Sequence, residues 1–492
     1  MPDQIDMLLI HPPYHRRMGS GCIFPIGLGY LASAAENHGF RVTIIDCAQT
    51  FTSLNPINLK ELSIWLTDIL KATNPKLAIG IGPCTTSAIR GINAIAHTCK
   101  NVLPKIPIIY GGPLASMPGL SRLFFEQFGA AAIVPGDGDQ VICDILSVLS
   151  GKSDLSSIDG VTTQDRVAPD NIITNLDTLP FPTRKWKSEG FDYHLSVRRD
   201  LFDGKFATMI RSRGCPYRCK FCVSGKLRNG QYTRRSVKNV IDEIELLRYS
   251  HGVDTIVFYD DTFIVSPKNL VEDTNEFVEG IAKLRNQLTW QIEIRPDVLA
   301  AFDRSLAATL YSAGCRQLNI GIEKADSAKA DLIGKNINVD QIKYAIEEIR
   351  LGAPALRLTS TFILGGPHED HDSMMKTINL ANELNLLFAH FYPLELYPGT
   401  DMYNMYFPDQ SPLDWYQKII ADDIPWGELL YESPLLTRKE ILSLISDAYK
   451  SFYRRDQWHT MARHFLGLNY SMVANAAEKW CSDRFALKTG IE

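Results

Sequence analysis

The sequence predicts an α/β protein of several domains, on two features. Short β-rich runs alternate with stretches of helical period twice over, from residue 5 to about 150 and again from about 206 to 400. An irregular stretch lies between them, and 492 residues exceed what one hydrophobic core usually serves. The expected layout is a doubly wound, Rossmann-like domain over 1–150 and a connector over 151–200. A partial, TIM-like (β/α)6 barrel over 201–400 and a helical C-terminal domain over 401–492 follow.

In the first domain, strands are expected near Asp6 to His11, Val42 to Asp46, Leu77 to Ile81, Ile106 to Tyr110 and Ala131 to Val134. Helices between consecutive strands imply right-handed crossovers, hence a parallel sheet covered on both faces. Each strand runs into turn formers or small polar residues: Pro12-Pro13, Asp46-Cys47, Thr85-Thr86-Ser87 after Gly82-Pro83-Cys84, Gly111-Gly112, and Gly136 within Pro135-Gly136-Asp137-Gly138. In a parallel sheet all five loops fall on the carboxyl edge, where ligands bind and small residues let backbone approach a bulky molecule. Tight βα turns alone would account for any one of these loops.

The connector carries a predicted hairpin around Gly160 to Thr174. Pro180 and Pro182 then bias the chain toward extended backbone. In the barrel, strands are expected near Phe206 to Arg211, Thr255 to Tyr259, Thr289 to Ile294, Gln317 to Ile322, Leu356 to Leu364 and His390 to Leu396. Of the helices, the one after Ser236 is clearest: Val237, Val240, Ile241, Ile244 and Leu247 share a face, and Gly252 stops the run. Chemistry in such an architecture belongs at the carboxyl ends of the strands. The aromatic residues of the tail, Trp415, Trp426, Tyr453 and Trp458, are read as core rather than as a cap over substrate.

Composition narrows the function. Lys and Arg number 51 against 56 Asp and Glu, with no run of like charge, which argues against a nucleic-acid partner. The N-terminus has no basic segment ahead of a long apolar run, so no membrane span and a cytoplasmic location are expected. Ten cysteines are too few for a disulfide scaffold of this length, and three of them are clustered.

These are Cys215, Cys219 and Cys222, in a loop following a strand that ends at Arg211. Three thiolates leave one position open on a cubane iron-sulfur cluster, whereas structural zinc closes its shell with four ligands. The Cys-x3-Cys-x2-Cys spacing also differs from the paired spacings of zinc fingers, although zinc with a distant fourth ligand stays open as an alternative.

The triad, with Tyr217 and Phe221 among its members, resembles the signature of the radical S-adenosylmethionine (SAM) superfamily. The resemblance implies a 4Fe-4S cluster on Cys215, Cys219 and Cys222, with SAM chelated to the open iron and cleaved to a 5'-deoxyadenosyl radical. It continues in order along the barrel. Tyr259-Asp260-Asp261 ends the second strand, where the family contacts SAM's amino group, and Glu293 and Arg295 end the third. A salt bridge between Glu293 and Arg295 is the plain structural alternative. Asn319-Ile320-Gly321-Ile322-Glu323 is similar to the segment whose acidic residue reaches the ribose. Gly365-Gly366 resembles the glycine segment near the adenine, and Tyr397-Pro398-Gly399-Thr400 the ending seen in cobalamin-type members. Cys315 reads as a small buried residue.

The first domain is similar to the cobalamin-binding domain of this superfamily in Ile10-His11-Pro12-Pro13, Phe24 to Ala32 and Gly111-Gly112-Pro113. No Asp-x-His-x-x-Gly segment is present, so the cobalt would have no lower protein ligand, or a water. Together these resemblances imply methylation of an unactivated carbon of a small molecule or natural-product precursor, through the 5'-deoxyadenosyl radical and methylcobalamin. The electrons would come from an external donor of flavodoxin or ferredoxin type. Asp260, Asp261, Glu293 and Arg295 are the candidate catalytic residues. Oxidative cyclases and rearrangement enzymes share the architecture, which keeps those reactions as alternatives. A second cluster on Cys22, Cys47 and Cys84 would instead resemble the methylthiotransferases acting on RNA or protein, and a non-catalytic metal-bearing binding module is the remaining alternative.

Overall fold

A computed structural model describes residues 4–14, 24–51, 57–117, 119–185, 205–284, 288–335, 337–421 and 434–466. The chain divides into two compact units. One comprises Met1–Arg198, Gly225–Thr233 and Tyr406–Trp426, the other Arg199–Ser224, Arg234–Met405 and Gly427–Glu492.

In the first unit, strands β1 (Met7–His11), β2 (Val42–Asp46), β3 (Ala78–Ile81), β4 (Ile108–Gly111) and β5 (Ala132–Val134) form a parallel sheet in the order β2-β1-β3-β4-β5. β1 reads Met-Leu-Leu-Ile-His and is buried along its whole length, as a strand covered on both faces must be. Its side chains alternate between two cores. Leu8 and Ile10 join Ile79 and Ile81 on one face, while Met7 and Leu9 join Ala78 on the other. Helices Leu59–Thr73 and Ile89–Val102 pack on the first face, Ile26–Asn37 and Val141–Ser150 on the second. Because the winding direction reverses between β1 and β3, a crevice is expected at their carboxyl ends.

The connector is part of this unit. Thr162 exchanges backbone hydrogen bonds with Ile133 at 2.8 and 2.9 Å, and the expected hairpin is a tight one closed by Thr163 and Arg166. It thereby pairs with the last strand, β5, whose edge would otherwise lie open. The part of the connector over residues 186–204 lies outside the described residues, as do Cys22 and Trp426.

In the second unit, six parallel strands run in sequence order: β6 (Phe206–Met209), β7 (Thr255–Phe258), β8 (Thr289–Ile294), β9 (Cys315–Glu323), β10 (Arg357–Leu364) and β11 (Phe388–Pro393). This is the layout of the partial barrel. Helix Val237–His251 has Ser236 as its N-cap, accepting from the Asn239 amide at 3.1 Å, and ends on Gly252 in the left-handed region at φ +62°.

The tail departs from the expected separate helical domain over 401–492. Helix Pro412–Ala421 belongs to the first unit, where the buried Tyr416 hydroxyl meets Thr86 Oγ1 at 2.9 Å and Arg90 Nε donates to the Ile419 carbonyl at 2.8 Å. Helices Arg438–Tyr453 and Asp456–Leu466 belong to the second. The physical reason is the open edge of β11. Tyr449 Oη accepts from the Phe391 amide at 3.1 Å, and Tyr453 Oη accepts from the Ala389 amide and donates to its carbonyl. Trp458 Nε1 donates to the Leu387 carbonyl at 2.7 Å. Tyr453 and Trp458 are buried, so these aromatics are core, and their polar tips satisfy backbone groups of an edge strand.

Candidate functional site

The cysteine loop begins where β6 ends, and that junction is held by a carboxylate. Asp260, buried just past β7, accepts from the Arg211 amide at 3.0 Å, from the Ser212 amide and from the Ser212 hydroxyl. Further along, the Lys220 amide donates to the Ile333 carbonyl at 2.9 Å and the Lys220 carbonyl accepts from the Met402 amide at 3.0 Å. Gly334, with φ +75°, lets the loop lie close: a Cβ there would stand 3.1 Å from the Arg218 carbonyl. The loop is therefore fixed by β7, by the chain after helix Ser327–Leu332 and by the chain after β11.

Cys215, Cys219 and Cys222 all line one cavity of about 240 Å³ at the carboxyl ends of the strands. Burial pushes the Cys215 thiol up to about 11 and raises Cys222 as well. In the metal-free chain these two sulfurs are thus protonated at neutral pH and poor nucleophiles, whereas a bound metal would strip the proton. Among the described residues no three His, Cys, Asp or Glu side chains form a group suited to a single metal ion.

The cavity also has acidic lining. Asp261 lines the cavity and accepts from Ser224 Oγ at 2.7 Å. Glu293, on β8, opens onto the cavity with protein around its other sides. That enclosure, followed by the charges of Asp261, Asp260 and Glu323, pushes its carboxyl up to about 7. Glu323 ends β9 with φ +69°, beside a register shift against β10 that follows Gly321. Its buried Oε1 accepts from Lys335 Nζ at 2.9 Å and Thr361 Oγ1 at 3.2 Å. Glu293, Asn319 and Thr359 stand level on neighbouring strands. Such polar side chains replace the branched apolar residues that fill a closed barrel. Thr359 Oγ1 is buried with no hydrogen-bond partner among the described residues, as befits a wall that faces a polar ligand.

Asp260 differs from the other acidic candidates, because its carboxylate is spent on Arg211 and Ser212 and does not line the cavity. Arg295 does not bridge to Glu293: it pairs with Asp297, at 2.9 Å from Nε, and stacks on Tyr217. Tyr217 donates its hydroxyl to the Val265 carbonyl, and Phe221 lines the cavity. Gly365 and Gly366 lie outside its wall. The Gly366 amide donates to Glu369, whose carboxylate is paired with Lys324 in full burial. Lys324, Lys335 and Ser224 had no sequence signal of their own; only the Gly334 helix stop ahead of Lys335 could have drawn attention there.

In the first unit the parallel strands bring Pro12, Pro13, Thr85, Thr86, Ser87, Gly111, Gly112 and Gly136 to the carboxyl edge. Gly112 has φ +107° and a Cβ there would stand 2.5 Å from the Cys84 amide, so only glycine allows β3 and β4 loops to pack this closely. His11 at the end of β1 is engaged at both nitrogens, by Asp46 at 2.7 Å and by Tyr14 at 3.2 Å. Cys47 and Cys84 are fully buried in the core. Burial pushes Cys84 up to about 12 and also raises Cys47 well above the ordinary thiol value. Cys315 is likewise buried and pushed up to about 12.

Residues 209–381, which hold the three cysteines and the acidic wall, match the radical SAM superfamily. Over 469 residues the chain is 27% identical to an uncharacterized methyltransferase of Pyrococcus horikoshii, covering 91% of this chain and 92% of the relative. It is 24% identical over 459 residues to the anaerobic magnesium-protoporphyrin IX monomethyl ester cyclase of Rubrivivax gelatinosus, covering 91% and 77%. In fold it is similar to the radical S-adenosylmethionine methyltransferase TsrM from Kitasatospora setae, solved with cobalamin and a 4Fe-4S cluster bound. That match has a TM-score of 0.71 at 16% identity and covers 99% of this chain and 100% of that one.

Proposed function

We propose that this radical SAM enzyme depends on cobalamin and methylates an unactivated carbon of a small molecule, drawing electrons from an external carrier protein. The observation that carries the reading is the meeting of three cysteines and an acidic wall in one cavity, at the carboxyl ends of a six-stranded parallel sheet. A cluster takes one thiolate per iron, so its three ligands need not converge as they would on a single ion. The three cysteines of the loop fit a cubane with one open corner.

The order of the first sheet supports a corrin at the carboxyl ends of β1 and β3, beside the small residues after β3, β4 and β5. With both nitrogens of His11 engaged, that histidine is not offered as a lower cobalt ligand. When bound, the cluster would supply the electron that cleaves SAM and the corrin would supply the methyl group. This chain's residues would do the rest. Asp261 and Glu293 would face the cationic sulfonium and amino groups of SAM, which would favour the ionised form of Glu293, and Glu323, held by Lys335, would offer its other oxygen to a hydroxyl. Asp260 keeps the cysteine loop on the sheet.

An oxidative cyclisation or rearrangement is the second reading, favoured by the similarity to the Rubrivivax cyclase along 91% of the chain. The burial of Cys47 and Cys84 in the apolar core argues against a second cluster and so against sulfur insertion. Among the described residues no helix is long and apolar enough to cross a membrane. The test is anaerobic incubation of the reconstituted chain with methyl-labelled SAM, hydroxocobalamin and a reductant. Formation of 5'-deoxyadenosine and labelled methylcobalamin, both lost in Cys219→Ala, is the expected outcome. SAM cleavage that survives in Cys219→Ala would refute it.

A further inference from the structure

Arg295 follows β8, and its guanidinium is fixed from three sides. Nε donates to Asp297 Oδ1 at 2.9 Å, the plane lies 3.5 Å from the centroid of the Tyr217 ring, and Nη1 donates to Cys219 Sγ at 3.4 Å. The side chain is 12% exposed, so little water competes for these contacts. Two of the three partners, Tyr217 and Cys219, belong to the cysteine loop. The third, Asp297, holds Nε and leaves the other end of the fork directed at sulfur. A guanidinium stays protonated at any working pH, so this site carries a permanent positive charge against the middle cysteine.

We infer that Arg295 sets the reduction potential of the cluster through Cys219, as a positioning residue that does not itself touch the reacting atoms. The inference rests on the cluster reading given above. A hydrogen bond from a cation withdraws electron density from a ligating sulfur, and the fixed charge favours the state with one more electron. Hydrogen bonds to the sulfurs and net charge are the terms by which a protein tunes such a cluster. The stacking on Tyr217 and the pairing with Asp297 serve this role by denying the guanidinium other orientations. A residue needed only to hold the loop would not require its charge at the sulfur, because Asp260 and the contacts of Lys220 already hold it.

The experiment is a redox titration of the anaerobically reconstituted full chain, followed by electron paramagnetic resonance of the reduced cluster, with iron counted per chain. Arg295→Gln removes the charge; Arg295→Lys keeps it without the planar fork. The expected result is a parental iron content in both, a reduction equilibrium at least about tenfold less favourable in Arg295→Gln, or about 59 mV for one electron, and an intermediate value in Arg295→Lys. Parental potentials in both variants, at parental iron content, would overturn the inference. So would loss of the cluster from both variants, which would make Arg295 a residue of cluster retention. A parent chain that takes up no iron is a different result: it refutes the cluster reading and this inference with it.

Discussion

Asp260 accepts the backbone amide of Arg211 at 3.0 Å, and so joins the end of β7 to the start of the cysteine loop. Removal of that carboxylate in Asp260→Ala leaves buried amides of Arg211 and Ser212 without their acceptor, at a cost of about 2–4 kcal/mol. Chemical denaturation should show the loss, and reconstituted Asp260→Ala should hold less iron than the parent. A variant with parental stability and iron content would mean that the loop is held by its other contacts alone.

The same carboxyl gives a pH dependence. Burial pushes Asp260 up to about 6, against the ordinary aspartate value near 3.9. The folded chain therefore keeps the proton where the unfolded chain has released it. Its contribution to stability is full below about pH 4 and is lost as pH rises through about 6, by about 3 kcal/mol at most. Asp260→Asn does not titrate, so the difference in stability between parent and variant should change across that interval and level off above it. A difference that stays constant from pH 4 to 7 would contradict the assignment.

Lys335 and Glu323 form a buried pair at 2.9 Å, each side chain 8% exposed. Lys335→Met strands a buried carboxylate and should cost about 3–5 kcal/mol, whereas Lys335→Met with Glu323→Gln should recover part of that loss. SAM binding by calorimetry should weaken in Glu323→Gln alone, because that carboxylate lines the cavity. A double variant whose loss equals the sum of the two single losses would show that the pair is not coupled.

Tyr453→Phe tests the closure of β11. It deletes the hydroxyl that serves both the amide and the carbonyl of Ala389, and about 1–3 kcal/mol should follow, with faster hydrogen exchange at Ala389 than elsewhere on the strand. Unchanged exchange at that amide would remove the tail's role as an edge cover.

The strands and the cysteine loop were legible because their signals are local. A run such as Met7 to His11 announces a buried strand, and three cysteines in eight residues announce a metal loop. Pairings across the sequence were not legible. Lys335 meets Glu323 only because the chain after β9 returns to the end of that strand, and Arg295 meets Cys219 only because β8 ends beside the cysteine loop. Asp260 and Asp261 are adjacent in sequence, and nothing there tells that one faces the backbone of Arg211 and the other the cavity. The tail was read as a domain because its helices are regular. Its division followed from Tyr416 packing in the first unit and from the backbone groups that β11 leaves open to Tyr449, Tyr453 and Trp458.

The measurement closest to the central claim is iron, cobalt and zinc per chain, on protein reconstituted without oxygen in the presence of hydroxocobalamin. About four iron and about one cobalt are expected, one open-cornered cubane and one corrin, with iron lost and cobalt kept in Cys219→Ala. About eight iron without cobalt would mean a second cluster, and zinc in place of iron would contradict the radical SAM cavity itself.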